Sequence, residues 1–262
     1  MKSNNKFKTL LFVIVSAGII ALCGTNAKAE TVEISLERVF IPATGYGSNN
    51  NVLLTLDGRL PSSCYQLAHF SIDKKENGHS FIVHQFAEHQ TSGICAKGAK
   101  LPLHLSGTVP FTYDVTLGHL PAGHYKVNFD LNSEQPQSRA FEVYHSENLT
   151  ADDLPYAVIS NLVISDFVNG NNPVSVELTG TLLSNCSYLE NVKVTYEEDV
   201  VVIQPILGYR ISGNCYMQPT LLKKKVDLGL FNEGRFLLHV RTMSGNAINR
   251  AFSVLRPDLQ VR

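Results

Sequence analysis

The chain has 262 residues and a formal net charge of −1. Four of its 22 basic residues and none of its acidic ones lie in the first 29 positions, so the remainder carries a net charge of −5. A mildly acidic chain offers no electrostatic footprint for DNA, RNA or anionic lipid, and the remaining 233 residues suit two ordinary domains better than one.

The N-terminal segment has the pattern of a secretory signal peptide. Lysines precede an apolar run from Leu10 to Leu22, and the small-x-small triplet Ala27-Lys28-Ala29 follows. This order predicts a signal peptide over residues 1–29 and no membrane span after its cleavage. An uncleaved membrane anchor is the alternative; a lipid-attached Cys23 is disfavoured because Leu22 stands where a small side chain is needed. We expect a secreted or periplasmic protein of a bacterial envelope.

The remainder is an internal repeat, which self-comparison reveals directly. The segment from Val52 to Cys64 recurs 122 positions later, from Val174 to Cys186. Ser92-Gly93-Ile94-Cys95 returns as Ser212-Gly213-Asn214-Cys215 at an offset of 120, and Arg139-Ala140-Phe141 returns as Arg250-Ala251-Phe252 at an offset of 111. The changes of offset indicate two length changes in loops.

The repeat predicts how the cysteines pair. Four cysteines remain after residue 29, an even set in a chain bound for an oxidising compartment. They allow three pairings, but only Cys64–Cys95 with Cys186–Cys215 gives each copy its own disulfide. The spacing of about 30 residues is unlike the close pairs of zinc sites, so we predict neither a metal site nor a cofactor.

Alternation of apolar and polar residues, as in Val32, Ile34 and Leu36, predicts strands with one face on a core. About seven such runs per copy, separated by turn residues, predict an all-β protein of two tandem disulfide-closed sandwich domains. The expected boundaries are a first domain over residues 30–145, a polar linker over 146–155 and a second domain over 156–262.

A short segment carries a resemblance to a known type of fold. Leu120-Pro121-Ala122-Gly123-His124-Tyr125-Lys126-Val127 resembles the turn and penultimate strand of bacterial secreted immunoglobulin-like and fibronectin-III-like sandwiches. The resemblance covers about 20 residues per copy and implies an Ig-like sandwich. The chain has no Trp, so it departs from the antibody pattern, in which a Trp packs in the core.

Histidines distinguish the two copies. Eight of the nine lie between His69 and His145. The candidate binding loops hold His84, Glu88 and His89, followed by His119 and His124 around a later turn. If those turns met in space, neutral imidazoles could bind zinc or copper; the spacing fits no established helix motif, so solvated loop histidines are the alternative.

No catalytic motif is evident, so the sequence predicts a protein that is not an enzyme. We expect a binding or structural module that presents loops and sheet edges to a protein or cell-surface macromolecule. Two alternatives stay open. One is a protease inhibitor or chaperone-like binder that uses an edge strand for β-augmentation, and the other is a hydrolase or metal-binding protein that uses the histidines of the first domain.

Overall fold

The computed structural model describes residues 30–75, 77–91, 93–96, 106–130, 136–145, 154–211 and 213–256. The predicted signal peptide and residues 146–153 of the predicted linker lie outside these ranges. Among the described residues there is no α-helix, and none of the helical turns is long and apolar enough to cross a membrane. The all-β prediction is confirmed.

Within the described residues, domain 1 has nine strands. These are β1 (Glu30–Ile34), β2 (Leu36–Phe40), β3 (Tyr46–Gly47), β4 (Asn51–Leu60), β5 (Tyr65–Lys74), β6 (Ser80–His89), β7 (Val109–His119), β8 (Gly123–Phe129) and β9 (Gln137–Tyr144). The small sheet has the order β2-β4-β7. The large sheet has the order β1-β6-β8-β9-β3, with β5 paired to β6.

Domain 2 repeats this arrangement with eight strands in the part of the chain that the structure describes. These are β10 (Val158–Val163), β11 (Phe167–Asn169), β12 (Val174–Ser184), β13 (Ser187–Glu197), β14 (Val200–Tyr209), β15 (Met217–Gly229), β16 (Gly234–Thr242) and β17 (Asn246–Leu255). Its small sheet is β10-β12-β15 and its large sheet is β11-β17-β16-β14-β13. The isolated bridge between Tyr156 and Ile206 takes the place of β1.

Each domain has its own core and its own disulfide. One apolar cluster draws its buried members from residues 34–143 and a second from residues 157–254. Cys64 pairs with Cys95 and Cys186 with Cys215, so the predicted connectivity is confirmed. Because disulfides persist in oxidising compartments, these two indicate an oxidising extracellular environment.

Strand β6 changes its neighbour halfway along. Residues Ser80–Ile82 pair in parallel with β8, whereas residues 85–89 pair antiparallel with β1. Val83 and His84 lie between the two ladders, where the ends of β1 and β8 approach the same edge of β6. The parallel β6/β8 pair, repeated as β14/β16, differs from the antiparallel sheets of immunoglobulin domains.

The two domains stack through their sheets. In β14 and β16, Val201 and Leu238 face the core of domain 2, so Val200 and Leu237 point to the opposite face by alternation. On that face Phe40 of domain 1, 0% exposed, packs in a third cluster. Its partners there are Val200, Val202, Leu237 and Ala251. The small sheet of domain 1 therefore covers the large sheet of domain 2, which gives four layers of sheet.

Polar contacts reinforce this stacking. Arg235 of β16 donates from Nη2 to Asp57 Oδ1 at 2.7 Å, and the Thr112 hydroxyl donates to the same oxygen at 2.9 Å. The Asp57 side chain is only 5% exposed. Asp199 of the β13–β14 turn forms an ion pair with Arg139. Burial raises the pKa of Asp199, and the positive charge of Arg139 opposes that shift.

A hydrogen-bond network crosses the same seam. Asn249 donates to Asp114 Oδ1 at 3.0 Å, and its own Oδ1 lies 2.9 Å from Nδ1 of His239. His239 is 2% exposed. Burial lowers the pKa of His239 to about 4, which keeps the imidazole neutral at physiological pH.

Candidate functional site

The outer face of the large sheet is covered in domain 2 and open in domain 1. Register and repeat offsets place Lys126 where domain 2 has Leu237, and Ala140 where it has Ala251. Leu237 and Ala251 are 1% and 8% exposed, whereas Lys126 and Ala140 are exposed. The same alanine is thus buried in one copy and solvated in the other.

We call this uncovered surface of domain 1 the open face. Tyr125, Val127 and Phe141 point into the core, so their neighbours along β8 and β9 point outward by alternation. The same argument applies to β1 and β6. By this alternation the open face includes Glu33, Ile82, His84, Phe86, Glu88, His124, Lys126, Asn128, Ala140 and Glu142. Most of these side chains are polar, with three carboxylates and two histidines, while Ile82, Phe86 and Ala140 are apolar.

A cavity of about 230 Å³ opens where β6 changes its neighbour. It lies between the end of β1, the middle of β6 and the residue after β8. Its lining is Glu33, Ile34, Ser35, Leu36, Val83, His84, Gln85 and Asp130. Since neither ladder spans Val83 and His84, the gap in pairing creates the space.

His84 links two carboxylates at this cavity. Its Nδ1 lies 2.6 Å from Glu33 Oε1, and its Nε2 lies 3.7 Å from Asp73 Oδ2. The His84 side chain is 26% exposed, so one edge of the ring reaches solvent. The two contacts fix the orientation of the imidazole.

Gln85 presents a buried acceptor that has no partner. It is 3% exposed, and its Nε2 donates to the carbonyl oxygens of His69 and Phe86 at 2.9 Å each. These bonds fix the orientation of the amide group. Its Oε1 has no hydrogen-bond partner among the described residues. An unpaired buried acceptor costs about 1 to 3 kcal/mol, and a donor from a ligand would remove that cost.

The structure places the histidines of the sequence hypothesis apart from one another. His84 and Glu88 share the outer face of β6, roughly 13 Å apart along the strand. His89, at the end of β6, contacts the Tyr65 ring in a tilted arrangement with 4.9 Å between ring centroids. The predicted β6 histidines therefore lie within a strand rather than in a loop.

The other two predicted histidines lie on different sheets. His119 ends β7 in the small sheet. His124, on β8, has its Nε2 3.8 Å from Glu142 Oε1 and an 86% exposed side chain. Among the described residues, no three or more His, Cys, Asp or Glu side chains are arranged to hold a metal ion.

A larger cleft of about 580 Å³ runs along the seam between the domains. Four arginines and four carboxylates line it, and three ion pairs join lining residues: Arg59 with Glu37, Arg235 with Asp57 and Arg250 with Asp166. Of the remaining charged residues, Arg38 pairs with Asp199 and Asp114 accepts hydrogen bonds from Thr55 and Asn249. We therefore interpret the cleft as part of the domain contact and the cavity beside His84 as the candidate site.

Comparison with known proteins supports the fold. Residues 54–143 match the family model of the ORF11 beta-sandwich domain. The match begins in β4 and ends in β9, within domain 1. Comparison with curated proteins and with solved structures gave no match. The fold and this match together define a β-sandwich protein.

Sequence reasoning found His84 but missed Glu33, Gln85 and Asp130. Glu33 and Asp130 are far from His84 in sequence, and Gln85 has no motif around it. A signal was nevertheless present in the repeat. The run Val200-Val201-Val202-Ile203 does not alternate, which is typical of a strand buried on both faces. Its counterpart Ser80-Phe81-Ile82-Val83 begins with a polar residue, which indicates that the outer face of this strand is less buried in domain 1.

Proposed function

We propose that this chain is a non-enzymatic binding protein, exported to the outside of a bacterial cell or to its periplasm, whose open face holds a macromolecular partner. The observation that carries the proposal is the difference between the copies. The same sheet face receives a folded domain in domain 2, and in domain 1 it is exposed at Lys126 and Ala140. Because the equivalent face of domain 2 already binds a folded domain, the open face is the surface on which we expect a partner to bind.

The polarity of the open face indicates what kind of partner it would receive. Phe40 docks on a hydrophobic surface in domain 2, whereas Lys126 and Ala140 stand in place of Leu237 and Ala251 in domain 1. Polar, solvated faces of this kind suit partners that associate and dissociate, because the exposed surface is stable without them. Export by an N-terminal signal peptide and an immunoglobulin-like or fibronectin-III-like type of sandwich are part of this proposal.

A second candidate function is β-augmentation. Strand β13 has 11 residues and, within the described part of the chain, pairs only with β14. Its free edge could accept a strand from a partner. The first candidate is favoured, since free edges occur in most open sheets, whereas the difference between the two copies is particular to this chain.

The test is retention of a partner by the full mature protein from the fluid or envelope fraction of its own cells. Ala140→Trp places a large side chain on the open face, and Thr220→Trp, at an exposed position of β15, is the matched control. We expect the wild type and Thr220→Trp to retain the same partner and Ala140→Trp to lose it. Equal retention by all three proteins would contradict the proposal and would direct attention to the β13 edge.

A further inference from the structure

The lining of the cavity beside His84 offers several hydrogen-bond acceptors to a ligand. Glu33 and Asp130 contribute carboxylates, and Gln85 contributes its unpaired Oε1. A third carboxylate, Asp73, lies 3.7 Å from His84. Acceptors of this kind are satisfied by a cation that carries several N–H groups.

Domain 2 has uncharged residues at the positions that correspond to Glu33 and His84. The bridge between Tyr156 and Ile206 places Tyr156 where domain 1 has Glu33. Gln204 stands where domain 1 has His84, and its Nε2 donates to the Tyr156 hydroxyl at 2.7 Å. The Glu33–His84 contact is therefore the charged counterpart of a neutral hydrogen bond in domain 2.

The residue next to this pair changes sign between the copies. Phe129 and Val240 correspond in the register of their hairpins, so Asp130 corresponds to Arg241. Arg241 is 2% exposed, and its guanidinium lies 5.7 Å from the centre of the Tyr46 ring. It also donates to the Thr44 carbonyl at 3.4 Å. Domain 2 thus carries a buried guanidinium of its own at a position where domain 1 carries a carboxylate.

We propose that the cavity beside His84 binds one lysine or arginine side chain of a partner polypeptide. This inference rests on the proposed function and names the chemistry that the open face recognises. An ammonium or guanidinium group would donate to Glu33 and Asp130, and it would give Gln85 Oε1 the hydrogen bond that it lacks. A volume of about 230 Å³ is below the usual range for drug-sized ligands, which begins at about 300 Å³.

The comparison with domain 2 shows that the set of acceptors is particular to domain 1 and is not a general property of the fold. Both copies leave a gap between the two ladders, at Val83 and His84 in domain 1 and at Gln204 and Pro205 in domain 2. Among the described residues, only domain 1 combines two carboxylates with an unpaired amide oxygen there. Pro205 stands in domain 2 where domain 1 has Gln85, so no side-chain acceptor exists there. The inference therefore predicts a single site per chain, on domain 1.

The probe is a fluorescent hexa-arginine peptide, titrated with the full mature protein at low salt and followed by anisotropy. Hexa-serine and hexa-glutamate peptides measure binding that does not depend on positive charge. Asp130→Asn removes one carboxylate and suits the backbone there, because Asp130 has a φ of 52° and asparagine tolerates the left-handed region. Glu33→Gln removes the other carboxylate. Glu190→Gln, at an exposed position of β13, is the control for net charge.

We expect Asp130→Asn and Glu33→Gln each to weaken hexa-arginine binding by about fivefold or more, since hydrogen bonds to charged groups are strong. Asp130→Arg supplies an internal guanidinium, as in domain 2, and should abolish binding. Glu190→Gln should change the affinity by less than about twofold, because a single exposed charge contributes little. Circular dichroism checks that each variant is folded.

The inference is overturned if the cavity variants bind hexa-arginine as tightly as Glu190→Gln does, since that result would show attraction by net charge alone. It is also overturned if hexa-arginine binds no better than hexa-serine. Failure of the proposed function is distinguishable from this. If Ala140→Trp loses the partner while the cavity variants keep it, the open face binds a partner by other contacts and only the cationic site is wrong.

Discussion

Asp130 and Arg241 occupy the same position in the two copies of the repeat and carry opposite charges. Arg241 is buried at the seam between the domains, where burial lowers the pKa of its guanidinium and Tyr46 opposes that shift. Asp130 lines a cavity on the open face. This position therefore contributes to the contact between the domains in domain 2 and is available to a ligand in domain 1.

Phe40→Ala is expected to uncouple the domains. Phe40 is fully buried among side chains of domain 2, and truncation of a buried Phe costs about 3 to 5 kcal/mol. Because both cores stay intact, we expect urea unfolding to change from one transition to two. Leu221→Ala, at a side chain that is 77% exposed, is the control and should leave a single transition. A single unshifted transition for Phe40→Ala would contradict the stacked arrangement.

The ion pair between Asp57 and Arg235 should be more important than a surface pair. Asp57→Ala leaves the guanidinium, in a side chain that is 23% exposed, without its carboxylate. We expect a loss of about 3 kcal/mol in the free energy of unfolding. Lys223→Ala breaks an exposed pair with Glu177, in which the side chains are 61% and 39% exposed, and should cost less than about 1 kcal/mol. Equal losses would show that the seam is solvated.

Stability should fall in mildly acidic solution because of His239. Its pKa in the folded protein is about 4, below the ordinary value of 6.5, so the unfolded chain binds a proton first as pH falls. The contribution is complete above pH 6.5 and is lost towards pH 4, on the order of 3 kcal/mol. In His239→Gln, unfolding measured across this pH range should show a shallower decline. Parallel curves for the two proteins would refute a buried neutral imidazole.

Reduction should weaken both domains. The bonded cysteines are separated by 31 and 29 positions, and closure of loops of that length contributes roughly 3 to 4 kcal/mol. Paired Cys186→Ser and Cys215→Ser substitutions should lower the melting temperature of domain 2 in particular. Excess reductant should lower it for the wild type but cause no further change in domain 2 of the double variant. A wild-type melting temperature that does not change in excess reductant would contradict this prediction.

The sequence predicted the features that can be recognised by comparing the two copies of the repeat or from local alternation. Cys64 and Cys186 stand at corresponding positions, which was enough to assign the disulfides, and the alternation around Ile34 was enough to identify strands. These signals are local or are repeated, so they can be read without coordinates. The two sandwich domains, each with its own core, follow from them, whereas the strand order of the sheets does not.

The candidate site could not be predicted in the same way. Glu33 and His84 are brought together by the pairing of β1 with β6, a long-range contact that no spacing encodes. Gln85 is a site residue only because its Oε1 lacks a partner, which depends on the orientation of its amide. Phe40 looks like any core residue in the sequence, although its partners lie in the other domain.

Nuclear magnetic resonance of the full mature protein tests the central claim most directly, by titration with N-acetyl-arginine amide. The side-chain amide signals of Gln85 and Gln204 report on equivalent regions of the two copies. We expect the Gln85 signals to shift in a saturable manner, together with the ring signals of His84, while those of Gln204 stay in place. Shifts of equal size at both glutamines, or none at Gln85, would contradict a cation site on the open face.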